Sequence, residues 1–174
     1  HKRLGLTGPL FELGVHHGRS AIVLGMLARP HETLTIMDLF ERQSENIDDS
    51  GAGDAAAFHR NMAHWCPDLR LESHTANSMD IDFRTVASFS DGVRFAHIDG
   101  GHYRELVLND LRKTEQVLAP HGVVVIDDFM HSGFPEVNEA CHAYFAGQTR
   151  LRPVALGHNK LIAAMYEHAD AVRA

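Results

Sequence analysis

The sequence predicts an α/β fold, with seven strands in a mostly parallel sheet, helices on both faces and an antiparallel C-terminal hairpin. Three observations carry this expectation. Short apolar runs alternate with stretches of helical periodicity, the pattern of strand–helix–strand crossovers. The run Val123-Val124-Val125-Ile126 has no polar alternation, as a central strand covered on both faces requires. The last two strands are joined only by Gly157-His158-Asn159-Lys160, short enough for a hairpin.

The strands expected are Leu10–Leu13, Thr33–Asp38, Leu69–His74, Arg94–Asp99, Val123–Asp127, Leu151–Leu156 and Leu161–Tyr166. A helix over Gly18–Ala28 follows the first. In Asp54–Trp65, the residues Ala55, Phe58, Met62 and Trp65 form one apolar stripe, which marks an amphipathic helix. Tyr103–Leu118 gathers Leu106, Val107, Leu111, Val117 and Leu118 within one arc, and Asp110 falls inside it. A buried carboxylate needs partners, so hydrogen bonds to nearby backbone or to a basic residue are expected there. Pro135 suits the first turn of a helix that turns Val137, Cys141, Tyr144 and Phe145 inward, with Gly147 as its stop. The order is β-α-β-α-β-α-β-α-β-α-β-β, with a helix between the third and fourth strands as elsewhere. After the second strand comes Glu41–Gly53, polar and glycine-containing. A loop of that length is more often functional than accidental, and it reads as a mobile lid or as plain disorder.

A chain of 174 residues fits one domain over residues 1–174, large enough for a proper core. The net charge of −7, with no Lys/Arg cluster, argues against a nucleic-acid partner or an anionic membrane surface. No apolar run approaches the roughly 18 residues of a membrane helix. Cys66 and Cys141 lack metal-ligand spacing, which fits a reducing, cytoplasmic compartment. The chain opens at His1 rather than Met, almost directly into a strand, so an N-terminal segment is expected to be missing. A homodimer is the default assembly.

Three segments converge on one edge of this sheet, where open α/β folds bind ligands. The first is Glu12-Leu13-Gly14-Val15-His16-His17-Gly18-Arg19-Ser20. Gly14 permits a tight turn, Gly18 lets backbone approach a ligand, and the helix start offers N–H groups to an anion. The spacing G-x-x-x-G is not the dinucleotide fingerprint, which disfavours NAD. A merely structural turn is the competing reading. Asp38 ends the second strand about twenty residues further on, where an acid can accept ribose hydroxyls; capping a turn is its alternative. Ala76-Asn77-Ser78 would then border the adenine, although Asn and Ser also build ordinary loops.

The other two segments are Asp99-Gly100-Gly101-His102 and Asp127-Asp128. Asp99 and Asp127 both end strands joined by one helix, and such strands usually lie side by side. Neighbouring strands are roughly 4.8 Å apart, so both carboxylates can reach one cation, with Asp128 turning toward it as the chain leaves the sheet. Three carboxylates without a cysteine cluster favour a hard cation, Mg²⁺ first and Mn²⁺ or Ca²⁺ behind. Capping of helix ends is the competing role for such aspartates. His102 follows two flexible glycines and is placed to accept a hydroxyl proton, since its charge changes near neutral pH. His16, His17 and His131 are weaker candidates.

These motifs resemble the class I S-adenosylmethionine-dependent methyltransferases, and among them the metal-dependent O-methyltransferases of the catechol type and of the macrolide-sugar and antibiotic-tailoring type. The likeness spans residues 9–166 and rests on Glu12–Ser20, Asp38, Asp99–His102 and Val123–Asp128. It implies a Rossmann-like fold and a cofactor held by Glu12, Gly14 and Asp38, with Gly18, Ser20, Ser78 and Asp99 beside them. It implies a magnesium or manganese ion on Asp99, Asp127 and Asp128, with His102 as the base. Many relatives have glycine where this chain has His16. The catechol type has lysine at the position of His102, and the macrolide-sugar type has histidine.

The reaction expected is in-line methyl transfer to a hydroxyl of a small molecule, a sugar or polyketide first and a catechol-like diol second. Positioning supplies much of such a rate enhancement. The alternatives are a metal-dependent hydrolase using Asp99, His102, Asp127 and Asp128 without a methyl donor, and a non-catalytic binding module.

Overall fold

The protein, described here by a computed structural model over residues 5–173, contains β1 (Leu10–Leu13), β2 (Thr33–Asp38), β3 (Arg70–Thr75), β4 (Val93–Ile98), β5 (Leu118–Ile126), β6 (Leu151–Gly157) and β7 (Lys160–Met165). Positions 1–4 and 174 of the expected domain lie outside the described residues. All seven strands join one sheet in the order β3-β2-β1-β4-β5-β7-β6. The first five are parallel, and β7 runs antiparallel to both β5 and β6. The sheet is therefore the expected one, mostly parallel with a terminal hairpin.

Helices α1 (Arg19–Leu27) and α2 (Ala55–Trp65) cover one face over Leu10, Leu34, Ile36, Phe40, Phe58 and Met62. Helices α3 (Arg104–Val117) and α4 (Pro135–Ala146) cover the other over Ile98, Leu111, Val124, Ile126, Val137 and Cys141. A short α5 (Ala169–Arg173) sets Ala169 against Val123 and Ala164. The all-apolar stretch of β5 thus lies between two packed layers. Among the described residues, no helix is long and apolar enough to cross a membrane.

Three details differ from the sequence reading. No α-helix joins β3 to β4. Two single 3-10 turns, Phe83–Thr85 and Ala87–Phe89, take its place. Asp82 accepts from the Arg84 N–H at 3.0 Å, and Thr85 Oγ1 donates to the Asp82 carbonyl at 2.7 Å. Such local bonds compete with helix propagation. The two turns bury Phe83 and Phe89 edge-on against Phe11, with centroids 5.2 and 4.9 Å away. Next, β5 begins at Leu118 rather than Val123, because α3 passes directly into it and a register shift between Val93 and Phe95 absorbs Pro120-His121-Gly122. Finally, Trp65, assigned to the apolar stripe of α2, ends the helix 55% exposed, while Phe58 and Met62 are buried.

Asp110 is buried inside α3, as its position on the helix requires. Its partners are side chains. Asn109 Nδ2 donates to it at 2.9 Å and Ser78 hydrogen-bonds it, with the Lys113 ammonium adding attraction. Lys113 Nζ also donates to the carbonyls of Ser78 and Met79, at 2.7 and 2.9 Å. The helix is thus stitched to the loop after β3. Burial nonetheless raises the Asp110 carboxyl to about 6, the hydrogen bonds from Ser78 and Asn109 opposing it. A carboxyl raised on folding favours the native state while protonated and erodes it as pH climbs through that value. We expect Asp110→Asn to become progressively more stable than the parent between pH 4 and pH 7. Denaturant midpoints against pH measure this, and parallel curves for the two proteins would contradict it.

Candidate active site

Chain order reverses between β1 and β4, the topological switch point where such sheets bind ligands. The turn leaving β1 crosses very close to the end of β4. Gly14 sits at φ +77°, and a Cβ there would lie 1.8 Å from the Asp99 carbonyl oxygen. The Gly14 N–H donates to the Met37 carbonyl at 2.9 Å, and the Asp99 N–H donates to the Leu13 carbonyl at 2.8 Å. One glycine therefore locks the ends of β1, β2 and β4 together. Gly18, at φ +91°, is required for another reason. Its Cβ would meet the Phe58 ring at 3.0 Å, so the residue serves packing of α1 on α2.

Asp38 organises this turn. Its carboxylate accepts the N–H groups of Val15, His16 and Phe40 at 2.6, 2.9 and 2.6 Å. A carboxylate offers about four lone-pair sites, so little acceptor capacity is left for a ligand, and turn capping is the role on view. His16, at the position where many relatives have glycine, is left-handed at φ 49°. Glu12 lies fully buried behind the turn; its Oε1 pairs with His97 Nδ1 at 2.8 Å, and its Oε2 has no hydrogen-bond partner among the described residues. Gly14, Ser20, Asp38, Ser78 and Asp99 line one large cavity, while Glu12 and Gly18 stand behind its wall.

Parallel pairing of β4 with β5 brings the carboxylates together, as the crossover argument requires. Oxygens of Asp99 and Asp128 lie within 4.8 Å of each other and of a His102 ring nitrogen, and so do one ligand atom each of His97, Asp99 and Asp127. Asp128 reaches this position because its backbone turns left-handed, at φ 56°. Its Oδ1 accepts from Asn159 Nδ2 at 2.6 Å. Asp127 accepts from Lys160 Nζ and has His97 Nε2 3.5 Å away, which hold its carboxyl far below the usual range against the opposing effect of burial. His97 is desolvated, yet Asp127 and Glu12 raise it to about 9. Asp99 feels His97 and Lys160 only at longer range. Burial and the charges of Asp127 and Asp128 push it up to about 6.

That surplus of negative charge at Asp99 and Asp128 is what a hard divalent ion would neutralise, and the oxygen donors fit one. Lys160 and His97 offset this charge at Asp99 only in part. His102 borders the same pocket. Its Nε2 lies 3.0 Å from Asp128 Oδ2 and its Nδ1 lies 3.0 Å from Asp48 Oδ2, while the Phe134 ring stacks on it at 3.7 Å. His131 stacks on the far part of the same aromatic, at 4.6 Å, and accepts the Gly133 N–H.

Sequence reasoning missed Asp48, His97, Asn159 and Lys160. His97 carried a signal, a lone imidazole in an otherwise apolar run two residues before Asp99. Lys160 and Asn159 depend on β7 pairing antiparallel to β5, which sets the hairpin turn beside Asp127. The cavity measures about 1890 Å³, well beyond the roughly 300–1,000 Å³ of a single-ligand pocket. It holds the glycine turn and the acidic cluster together, with room for two reactants.

Residues 11–129 match the family model described as a methyltransferase domain, and the chain belongs to that family. Its fold is shared with the O-methyltransferase NovP, with TM-score 0.73 and 16% identity over 94% of this chain and 74% of that one. TomG of Streptomyces achromogenes, an O-methyltransferase of tomaymycin synthesis solved with SAM, gives 0.71 and 17% over 94% and 74%. CalS11, a TDP-rhamnose 3'-O-methyltransferase of calicheamicin biosynthesis, gives 0.67 and 18% over 92% and 73%. No curated protein matches by sequence. The likeness to these solved structures is one of fold, and the family membership gives the hydrolase no support.

Replacing Gly14 by Ala forces a methyl group into the Asp99 carbonyl at a left-handed residue. We expect a loss of about 3 kcal/mol or more, against a smaller loss for Gly18→Ala, where a ring edge can shift. Urea midpoints of the two variants check the ranking, and equal losses would overturn it.

Proposed function

We propose that this methyltransferase is an S-adenosylmethionine-dependent, divalent-metal-assisted O-methyltransferase acting on a hydroxyl of a small molecule, a sugar or polyketide of natural-product type. The observation carrying this reading is the single cavity that joins the Gly14–Asp38 turn to Asp99, Asp127, Asp128 and His102. Neighbours of the same fold are O-methyltransferases of antibiotic assembly, which supports the acceptor class. The free thiols Cys66 and Cys141 suit a reducing cytoplasm.

When bound, S-adenosylmethionine supplies an activated methyl group, and Mg²⁺ on Asp99, Asp127 and Asp128 supplies Lewis acidity to the acceptor hydroxyl. The protein's own residues do the rest. The turn from Gly14 to Ser20, rigidified by Asp38, frames the cofactor's methionine end, and Ser78 frames its base. Glu12 acts from behind the wall through His97. His102 Nε2 removes the hydroxyl proton as the oxygen attacks.

Asp99→Ala and Asp127→Ala are expected to abolish metal-dependent turnover. His102→Ala should slow it by about 10²–10⁴-fold and leave S-adenosylhomocysteine affinity nearly intact by calorimetry. Full activity in thoroughly chelated protein would eliminate the metal role. A thermal shift with inorganic phosphate or nucleotides but none with S-adenosylhomocysteine would eliminate the methyl donor.

A further inference from the structure

We propose that Asp48, in the loop between β2 and α2, is the positioning residue of His102. This rests on the reading of His102 as the base and adds a second carboxylate to it. Asp48 comes from a segment far from His102 in sequence, yet its side chain is only 3% exposed. Its Oδ2 accepts two bonds from one residue, from the His102 backbone N–H at 2.5 Å and from the ring nitrogen Nδ1 at 3.0 Å. Its Oδ1 accepts from the backbone N–H and the hydroxyl of Ser50, at 3.1 and 2.6 Å. The carboxylate is thus held at both oxygens, and these bonds keep it ionised against the effect of burial.

The consequence for His102 is chemical. An ionised carboxylate only accepts hydrogen bonds, so contact with Nδ1 requires the proton to reside on Nδ1. With that proton on Nδ1, a neutral ring has its lone pair on Nε2, which faces the cavity and lies 3.0 Å from Asp128 Oδ2. That carboxylate would have to be engaged by a bound cation before Nε2 could serve as the base. Phe134 stacked at 3.7 Å and 12° prevents the ring from swinging out of that plane. A carboxylate that fixes the tautomer and orientation of an imidazole base is a known device for proton abstraction. Here the loop supplying it also lines the cavity through Asn46, Ser50 and Gly51. The base is therefore held by a loop that is itself part of the cavity wall.

The test uses the full chain, ¹⁵N-labelled at histidine, with S-adenosylhomocysteine and Mg²⁺, at a pH where the His102 ring is neutral. Long-range nitrogen–proton spectra should place the ring proton on Nδ1 in the parent and shift it largely to Nε2 in Asp48→Ala. Ser50→Ala loosens the same loop without touching His102 and should keep the parent tautomer. Methyl transfer to catechol as a diol probe should fall about 10- to 100-fold in Asp48→Ala, in kcat rather than KM. In a His102→Ala background the Asp48 substitution should cost nothing more. A parent ring carrying its proton on Nε2, or Asp48→Ala and Ser50→Ala giving the same spectrum, would overturn the proposal while leaving the base in place. A His102→Ala enzyme as fast as the parent would instead remove the base, and the proposal with it.

Discussion

The structure depends on one close approach, the crossing of Gly14 over the Asp99 carbonyl. Parallel strands β1 and β4 pair from Leu10 with Phe95 to Leu13 with Ile98, and their chains must then diverge toward opposite faces. The turn after β1 leads to α1, while the chain after β4 leads to α3 on the other side. At the point of divergence the two backbones are closer than a Cβ permits. Sheet order, the crevice at the switch point and the juxtaposition of the turn with Asp99 follow from that contact. A fold with a bulkier residue there would have to separate β1 from β4, and the glycine turn would part from the carboxylates.

Against this rigid frame the electrostatics of the edge are poorly balanced for stability. Asp99, Asp127 and Asp128 share one pocket, and the cations built into the chain offset them unevenly. Lys160 and His97 flank Asp127. Asn159 gives Asp128 a neutral donor, and Asp99 is left with a raised carboxyl. Glu32 shows a buried charge that is well paired. Glu32 receives two bonds from Arg94, at 2.8 and 2.6 Å, and two more from backbone N–H groups of Gly8 and Arg29. The contrast matters because perturbed groups cluster where a protein works. The partly unmet demand for positive charge at Asp99, beside the well-paired Glu32, is what the proposed cation would answer.

Much of this was legible in the sequence. Strand periodicity located β1 and β2 to the residue, and the crossover rule placed Asp99 beside Asp127 before any distance was known. What escaped was information carried by pairing rather than by pattern. Lys160 looks like an ordinary hairpin residue until β7 is known to run antiparallel to β5. Asp48 sits in a polar stretch whose composition fits a solvated loop, and only tertiary contact buries it. That Asp38 also accepts three backbone N–H groups is set by the turn after β1, which no sequence pattern reports. The missing helix before β4 failed for a local reason, since Asp82 and Thr85 cap single turns as readily as they begin a helix.

Among the described residues, six non-glycine positions have positive φ, and all but His31, before β2, and Asp49, in the loop after it, fold the carboxyl edge of the sheet. Non-glycine residues adopt left-handed conformations after β1 at His16, after β2 at Phe40, after β5 at Asp128 and before β7 at His158. Each costs about 1–2 kcal/mol for an ordinary L-residue, less for aspartate, and all four sit on the carboxyl edge of the sheet. A strand that ended in relaxed backbone would carry its next side chain away from its neighbours. At Asp128 the left-handed turn returns the carboxylate toward Asp99 and His102, and at Phe40 it brings an N–H onto Asp38 while burying the ring in the core. The strain is therefore borne by the residues that fold the edge inward, and it is supported by the sheet beneath it. Such outliers persist only where surrounding structure over-determines them, and here that support is the same locked crossing of β1 and β4.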